Sequence, residues 1–94
     1  MLLQEQRELV VEYGKKLVTT GLTDGTFGNL SVFDRQSGLM AISPSGMDYF
    51  ATTPEDVVVA GLEGKVVEGT RKPSSELDLH RLFYQRRQDV NGVV

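Results

Sequence analysis

The chain has 94 residues, 39% of them hydrophobic, which is enough for one small domain with a packed core. The formal net charge of −3, spread over interspersed acids and bases, excludes a basic nucleic-acid stripe; the lack of cysteine excludes disulfides and thiolate metal sites. The N-terminus has no basic segment followed by an apolar one, and no run approaches about 20 apolar residues, so neither a signal peptide nor a membrane span is expected.

Residues 3–20 read as an amphipathic helix. Leu3, Arg7, Val10, Tyr13 and Leu17 recur at three- and four-residue spacing, with Leu9 and Val18 beside them. Lys15 and Lys16 sit near its end, where the dipole favours cations, and Gly21 suits the position after the cap. A polar loop over 22–29 leads to a strand over 30–33. A turn over 34–38 and a strand over 39–42 complete a hairpin. Residues 43–46 break the sheet. Thr53 before Pro54, Glu55 and Asp56 predicts a capped helical turn. The β-branched run 57–60 reads as a buried strand, 62–64 as its turn and 65–68 as the returning strand.

Residues 71–76 form a polar elbow that opens a helix over 76–86. Pro73 rejects a continuing strand or helix, and Ser74 or Ser75 can cap the helix that follows. At about 100° per residue, Leu77, Leu79, His80, Leu82, Phe83 and Tyr84 form one broad face, with Asp78, Arg81 and Gln85 opposite. Glu76 falls in the middle of the apolar arc. A carboxylate aimed inward asks for a metal, a cation or a substrate proton. A glutamate in the first turn is also what the helix dipole favours, so a purely structural role stands beside the chemical one. After a polar connection over 86–91, residues 92–94 read as the opening of a core strand.

Three polar elbows alternate with the apolar strands: 25–29, 43–46 and 72–76. Glycine lets backbone N–H groups approach an anion closely, hydroxyls add donors, and a helix start adds partial positive charge. Taken singly, each elbow is also ordinary turn chemistry. His80, the chain's one histidine, lies four residues after Glu76. That spacing lets both reach one metal, but on an apolar face a hydrogen-bonded core histidine is the better reading.

Four runs appear in order: TFGNLS over 26–31, ISPSG over 42–46, TPEDV over 53–57 and KPSSE over 72–76. Together they resemble the class II aldolase/adducin family, and the resemblance covers essentially the whole chain. It implies an α/β fold, a central and mostly antiparallel sheet flanked by helices in three layers. Residues 1–94 would be the N-terminal portion of a single domain of this kind. It further implies that Gly28, Asn29, Ser45, Gly46, Ser74 and Ser75 hold a substrate phosphate. Glu76 would be the catalytic carboxylate beside a zinc ion, and a possible ligand to it.

The family's zinc histidines, a His-x-His pair and a third farther on, would follow position 94. The 94 residues alone are therefore expected to be inactive and to bind zinc poorly. The implied reaction is zinc-dependent cleavage of a ketose 1-phosphate, L-fuculose 1-phosphate, to dihydroxyacetone phosphate and L-lactaldehyde. A cytoplasmic homotetramer is the implied setting, with a sugar phosphate as partner and neither nucleic acid nor membrane. The same pattern is shared by L-ribulose-5-phosphate 4-epimerases, methylthioribulose-1-phosphate dehydratases and non-catalytic adducin-like interaction modules.

Overall fold

The computed structural model describes residues 1–21, 29–46 and 48–93. Helix α1 (Gln4–Thr19) is followed by strands β1 (Ser31–Asp34) and β2 (Leu39–Ile42) and a 3₁₀ turn (Pro54–Asp56). Strands β3 (Val58–Gly61) and β4 (Val66–Glu68), helix α2 (Leu77–Arg86) and strand β5 (Gly92–Val93) complete the order. The strands form one sheet in the order β4-β3-β2-β1-β5, and each neighbouring pair is antiparallel. The expected α/β class, an antiparallel sheet flanked by helices, is thus observed.

Alternation along the strands sends neighbouring residues to opposite faces. Val32 and Ala41 pack with Val10, Val11, Leu30 and Val57 on the α1 side. Phe33 and Met40 pack with Tyr84 and Leu77 on the α2 side. The result is helix, sheet, helix. Val58 to Gly61 are all buried because β3 is covered on both faces, which is why its sequence does not alternate. Gly21 has φ +78° and its N–H reaches the Val18 carbonyl, the left-handed helix end expected of it. Thr53 and Asp56 form a reciprocal cap around the 3₁₀ turn. That Thr53 N–H bond, with the Arg71 guanidinium 3.1 Å away, holds the Asp56 carboxyl below its ordinary range.

Three expectations are corrected. In α1 the buried stripe is Arg7, Val10, Val11 and Gly14, and Tyr13 is 47% exposed. The stripe is set by where the chain can approach Tyr49, and only the bare Gly14 fits there. Tyr13 lies one 100° step away and points to solvent under the Lys16 ammonium. In α2 the inward residues are Leu77, His80, Arg81 and Tyr84, with Leu79, Leu82 and Phe83 exposed. The helix is rotated from its apolar arc because Ser31 binds His80 and Tyr84, while Arg81 and Gln85 both donate to the Leu62 carbonyl. Glu76 precedes the helix as its cap residue and is exposed, not inward.

Arg7 is 1% exposed and was not legible as a buried charge. Its guanidinium donates to the carbonyls of Leu2, Pro54 and Val57 and to the Glu68 carboxylate. It thereby ties α1 to the 3₁₀ turn and to β4. At the other end of the sheet, Arg35 donates to the carbonyls of Tyr84, Arg87 and Val90 and to Asn91. These bonds close the end of α2 and set the approach to β5.

Gly14 gives a test of the α1 packing. A Cβ there would lie 2.2 Å from Tyr49 Cδ1 and 2.7 Å from its Cγ, and the Tyr49 ring is buried. The helix gains about 1 kcal/mol from Ala over Gly, whereas forced overpacking costs about 1–3 kcal/mol. Gly14→Ala is therefore expected to lower the urea midpoint at unchanged m-value. A higher midpoint would show that the α1–Tyr49 contact is looser than described.

Candidate active site

The elbows at Asn29, Ser43–Gly46 and Lys72–Glu76 converge. Pro44 and Pro73 form an antiparallel bridge. Around it the Ser45 N–H donates to the Lys72 carbonyl at 2.8 Å, and the Ser74 N–H donates to the Ser43 carbonyl at 3.0 Å. Ser43 in turn joins the start of β1: its Oγ accepts from the Leu30 N–H, and its own N–H donates to the Leu30 carbonyl. Asn29 closes the group, because its Oδ1 accepts from the Ser74 hydroxyl.

Proline explains this geometry. Each proline lacks an N–H, so neither segment can extend the sheet, and a single bridge is what the pair can form. Ser74 then does two things. Its Oγ accepts from the Glu76 N–H at 3.1 Å, and its carbonyl accepts from the Leu77 N–H at 3.1 Å. The first is a Ser turn reaching two residues ahead, which satisfies an N–H at the helix start. Ser74 is thus the residue that shapes the elbow, and Ser75 is exposed.

Of the proposed phosphate residues, Asn29 and Ser74 are joined directly and Ser45 is fixed beside Lys72. Ser45, Gly46 and Ser75 are exposed around them. Gly46 has φ +74°, a left-handed conformation that suits glycine and turns its backbone at the rim of the elbow. Gly28 lies outside the described residues. Glu76 stands at the N-terminal end of α2, exposed, and makes no side-chain hydrogen bond among the described residues. The arrangement offers hydroxyls, an amide side chain and the positive end of a helix to an anion, with a solvent-facing carboxylate next to them.

His80 is 2% exposed, and its Nδ1 lies 2.6 Å from Ser31 Oγ. Burial pushes the imidazole below its ordinary range, and the nearby Glu76 carboxylate opposes that shift. The histidine is committed inward while Glu76 faces out, so the pair does not make a shared metal site. Among the described residues, no three His, Cys, Asp or Glu side chains cluster to hold a metal. The zinc that the family implies does not find its ligands in this set. A separate cleft of about 510 Å³ lies between α1 and the β1–β5 edge, lined by Leu17, Leu30, Val32 and Val93 among others. It includes neither Glu76 nor the elbow hydroxyls.

Sequence reading missed Ser43 as the joint between elbows, and Ser31 and Tyr84 as partners of His80. No local signal marks them, since their partners lie tens of residues away.

Residues 8–94 match the Class II Aldolase and Adducin N-terminal domain, and the chain belongs to that family. It is 58% identical over its whole length to a 5-deoxy-D-ribulose 1-phosphate aldolase of Bacillus thuringiensis serovar kurstaki, and covers 44% of that protein. It is 40% identical over 92 residues to an L-ribulose-5-phosphate 4-epimerase of Salmonella paratyphi B, covering 98% of this chain and 40% of that one. A solved L-fuculose 1-phosphate aldolase superposes with a TM-score of 0.93 at 51% identity, covering 98% of this chain and 43% of its own. The chain therefore spans less than half the length of these relatives. No helix among the described residues is long and apolar enough to cross a membrane.

Proposed function

We propose that this chain supplies the phosphate-binding elbows and the catalytic carboxylate of a class II aldolase that cleaves a ketose 1-phosphate. The observation that carries the reading is the joining of Asn29 to Ser74 beside the Ser43–Gly46 elbow. In this reading the elbows bind the 1-phosphate. The C3–C4 bond breaks as the C4 hydroxyl loses its proton, releasing an aldehyde and the enediolate of dihydroxyacetone phosphate. Glu76 moves the proton at C3, and Asn29, Ser45, Gly46, Ser74 and Ser75, with Gly28, hold the phosphate. Zinc, when bound, would polarise the substrate's carbonyl and hydroxyl oxygens, and Glu76 is the possible ligand that this chain would offer it.

Two substrates are favoured in this reading. L-Fuculose 1-phosphate and 5-deoxy-D-ribulose 1-phosphate share the phosphate-bearing three-carbon half and a terminal methyl group. They differ in the aldehyde released, L-lactaldehyde from the first and acetaldehyde from the second. The identity of 58% to the 5-deoxy-D-ribulose 1-phosphate aldolase supports a small deoxyketose 1-phosphate, with L-fuculose 1-phosphate as the larger candidate. An epimerase acting on a 5-phosphate is the second reading, supported by the 40% identity to such an enzyme. A cytoplasmic homotetramer remains part of the proposal.

The test uses the protein that combines this chain with the remaining length of its relatives. Cleavage of both 1-phosphates is assayed against epimerisation of L-ribulose 5-phosphate. Asn29→Ala is expected to raise KM more than it lowers kcat, because it removes a binding contact made equally in ground and transition states. An unchanged KM would remove the phosphate role from Asn29. For the 94-residue chain alone, calorimetric titration is expected to show no tight zinc binding. Catalytic zinc usually takes about three protein ligands, and one inward histidine with no cysteine does not supply them. Stoichiometric zinc uptake by this chain would contradict that accounting.

A further inference from the structure

Three polar side chains are buried between β1 and α2: Ser31 at 0%, His80 at 2% and Tyr84 at 1% exposure. Ser31 Oγ lies 2.6 Å from His80 Nδ1 and 2.7 Å from Tyr84 Oη, and Tyr84 Oη lies 3.0 Å from the Ser31 carbonyl oxygen. Counting protons fixes the directions. A carbonyl can only accept, so the Tyr84 hydroxyl donates to it. Ser31 Oγ–H is then the donor to Tyr84 Oη, and His80 Nδ1–H is the donor to Ser31 Oγ. The Tyr84 ring is held in place by stacking on Phe33, with centroids 4.9 Å apart.

An apolar trio would fill this space without the cost of burying polar groups. What hydrogen bonds add is direction. Apolar packing tolerates a small slide or rotation of a helix on a sheet, whereas a closed chain of three bonds accepts one placement. That placement matters at the N-terminal end of α2. Ser31 follows Asn29 by two residues, and the His80 N–H donates to the Glu76 carbonyl at 3.1 Å. The strand and helix thus carry the network, and the segments that lead directly into them carry the Asn29–Ser74 contact.

We infer that Ser31, His80 and Tyr84 are positioning residues that fix the first turn of α2 on β1, and so hold Glu76 and the Ser74 hydroxyl in place relative to Asn29. The inference rests on the proposed reading of the elbows as a phosphate site. It makes His80 neither a metal ligand nor an acid–base group.

The experiment follows amide NMR signals of the 94-residue chain during titration with inorganic phosphate. His80 is the only histidine, so imidazole ¹⁵N signals report it alone. The wild-type chain is expected to show a neutral imidazole protonated at Nδ1. Tyr84→Phe keeps the ring stack and removes the hydroxyl; His80→Leu removes the donor. Both are expected to shift the Asn29, Ser74 and Glu76 amides and to weaken phosphate binding about tenfold, the effect of losing roughly one buried hydrogen bond. His80→Asn places an amide near the Nδ1 position and is expected to restore most of the affinity, which mere space-filling would not require. An imidazole protonated at Nε2 alone would overturn the inference. So would Tyr84→Phe binding phosphate like wild type with unmoved elbow amides, and this variant decides if His80→Leu does not fold. If the wild-type chain binds no phosphate, the phosphate reading fails on its own. The positioning inference is then decided by whether Tyr84→Phe moves the Asn29, Ser74 and Glu76 amides.

Discussion

If the proposed aldolase reading holds, Glu76→Gln is expected to leave the fold intact and to lower turnover by about 10²–10⁴-fold, the usual contribution of a general acid–base group. The two halves of this expectation come from different observations. Glu76 is exposed and makes no side-chain hydrogen bond among the described residues, so nothing in the packing depends on its charge. Surface substitutions of this kind change stability by about 0.5 kcal/mol or less. The loss of activity follows from its place at the start of α2, one turn before His80 and two residues after the Ser74 hydroxyl that defines the elbow. Glutamine keeps the size and the local hydrogen-bonding capacity but cannot carry a proton to carbon. Steady-state kinetics and thermal unfolding of the same variant decide the matter. If turnover stays near wild type and only the melting temperature falls, Glu76 is a helix-dipole residue, since an acid in that position contributes about 0.3–1 kcal/mol.

Arg7→Met is expected to destabilise the chain by about 3–5 kcal/mol, the cost of breaking a buried charge cluster by removing one partner. A domain of this size has about 5–15 kcal/mol in total, so the variant approaches the threshold of folding. Methionine fills much of the same volume, which isolates the guanidinium from simple cavity formation. Without it, the Pro54 and Val57 carbonyls and the Glu68 carboxylate lose their donor. The Leu2 carbonyl is also released, and with it the restraint on Leu3, whose φ of +53° is uncommon for a side chain of its size. Glu68→Gln supplies the contrast. The Glu68 side chain is 40% exposed and a glutamine amide oxygen can still accept from the Arg7 guanidinium, so a change within about 1 kcal/mol is expected. Urea denaturation of both variants measures the difference. Equal effects would mean that the ion pair, rather than the carbonyl cluster, is what Arg7 contributes.

The order and type of elements could be read from the chain, because they depend on neighbours close in sequence. The three- and four-residue spacing of α1, the 30–42 hairpin and the Thr53–Asp56 cap involve partners within a few residues of one another. The β-branched run at β3 also announced a buried strand. Four short motifs in order were enough to place the chain in its family, since each is a local turn whose spacing the fold preserves.

What periodicity could not decide was rotation and convergence. The helical wheel assigned Leu79, Leu82 and Phe83 to the core because it weighs apolarity alone. The tertiary structure turned α2 toward Ser31 instead, since His80 and Tyr84 bury well only where a hydroxyl receives them. The same rotation carried Glu76 out to solvent. The spacing placed Arg7 on the stripe of α1 but could not supply its partners, the Pro54 and Val57 carbonyls, which come from about fifty residues away. Asn29 and Ser74 are 45 residues apart and meet where the Pro44–Pro73 bridge joins the 43–46 elbow to the 72–76 elbow. Local sequence sets which turn a segment can make; which turns face one another is set by sheet order and helix rotation, and those are the joint outcome of burying apolar faces while satisfying every polar group carried inside.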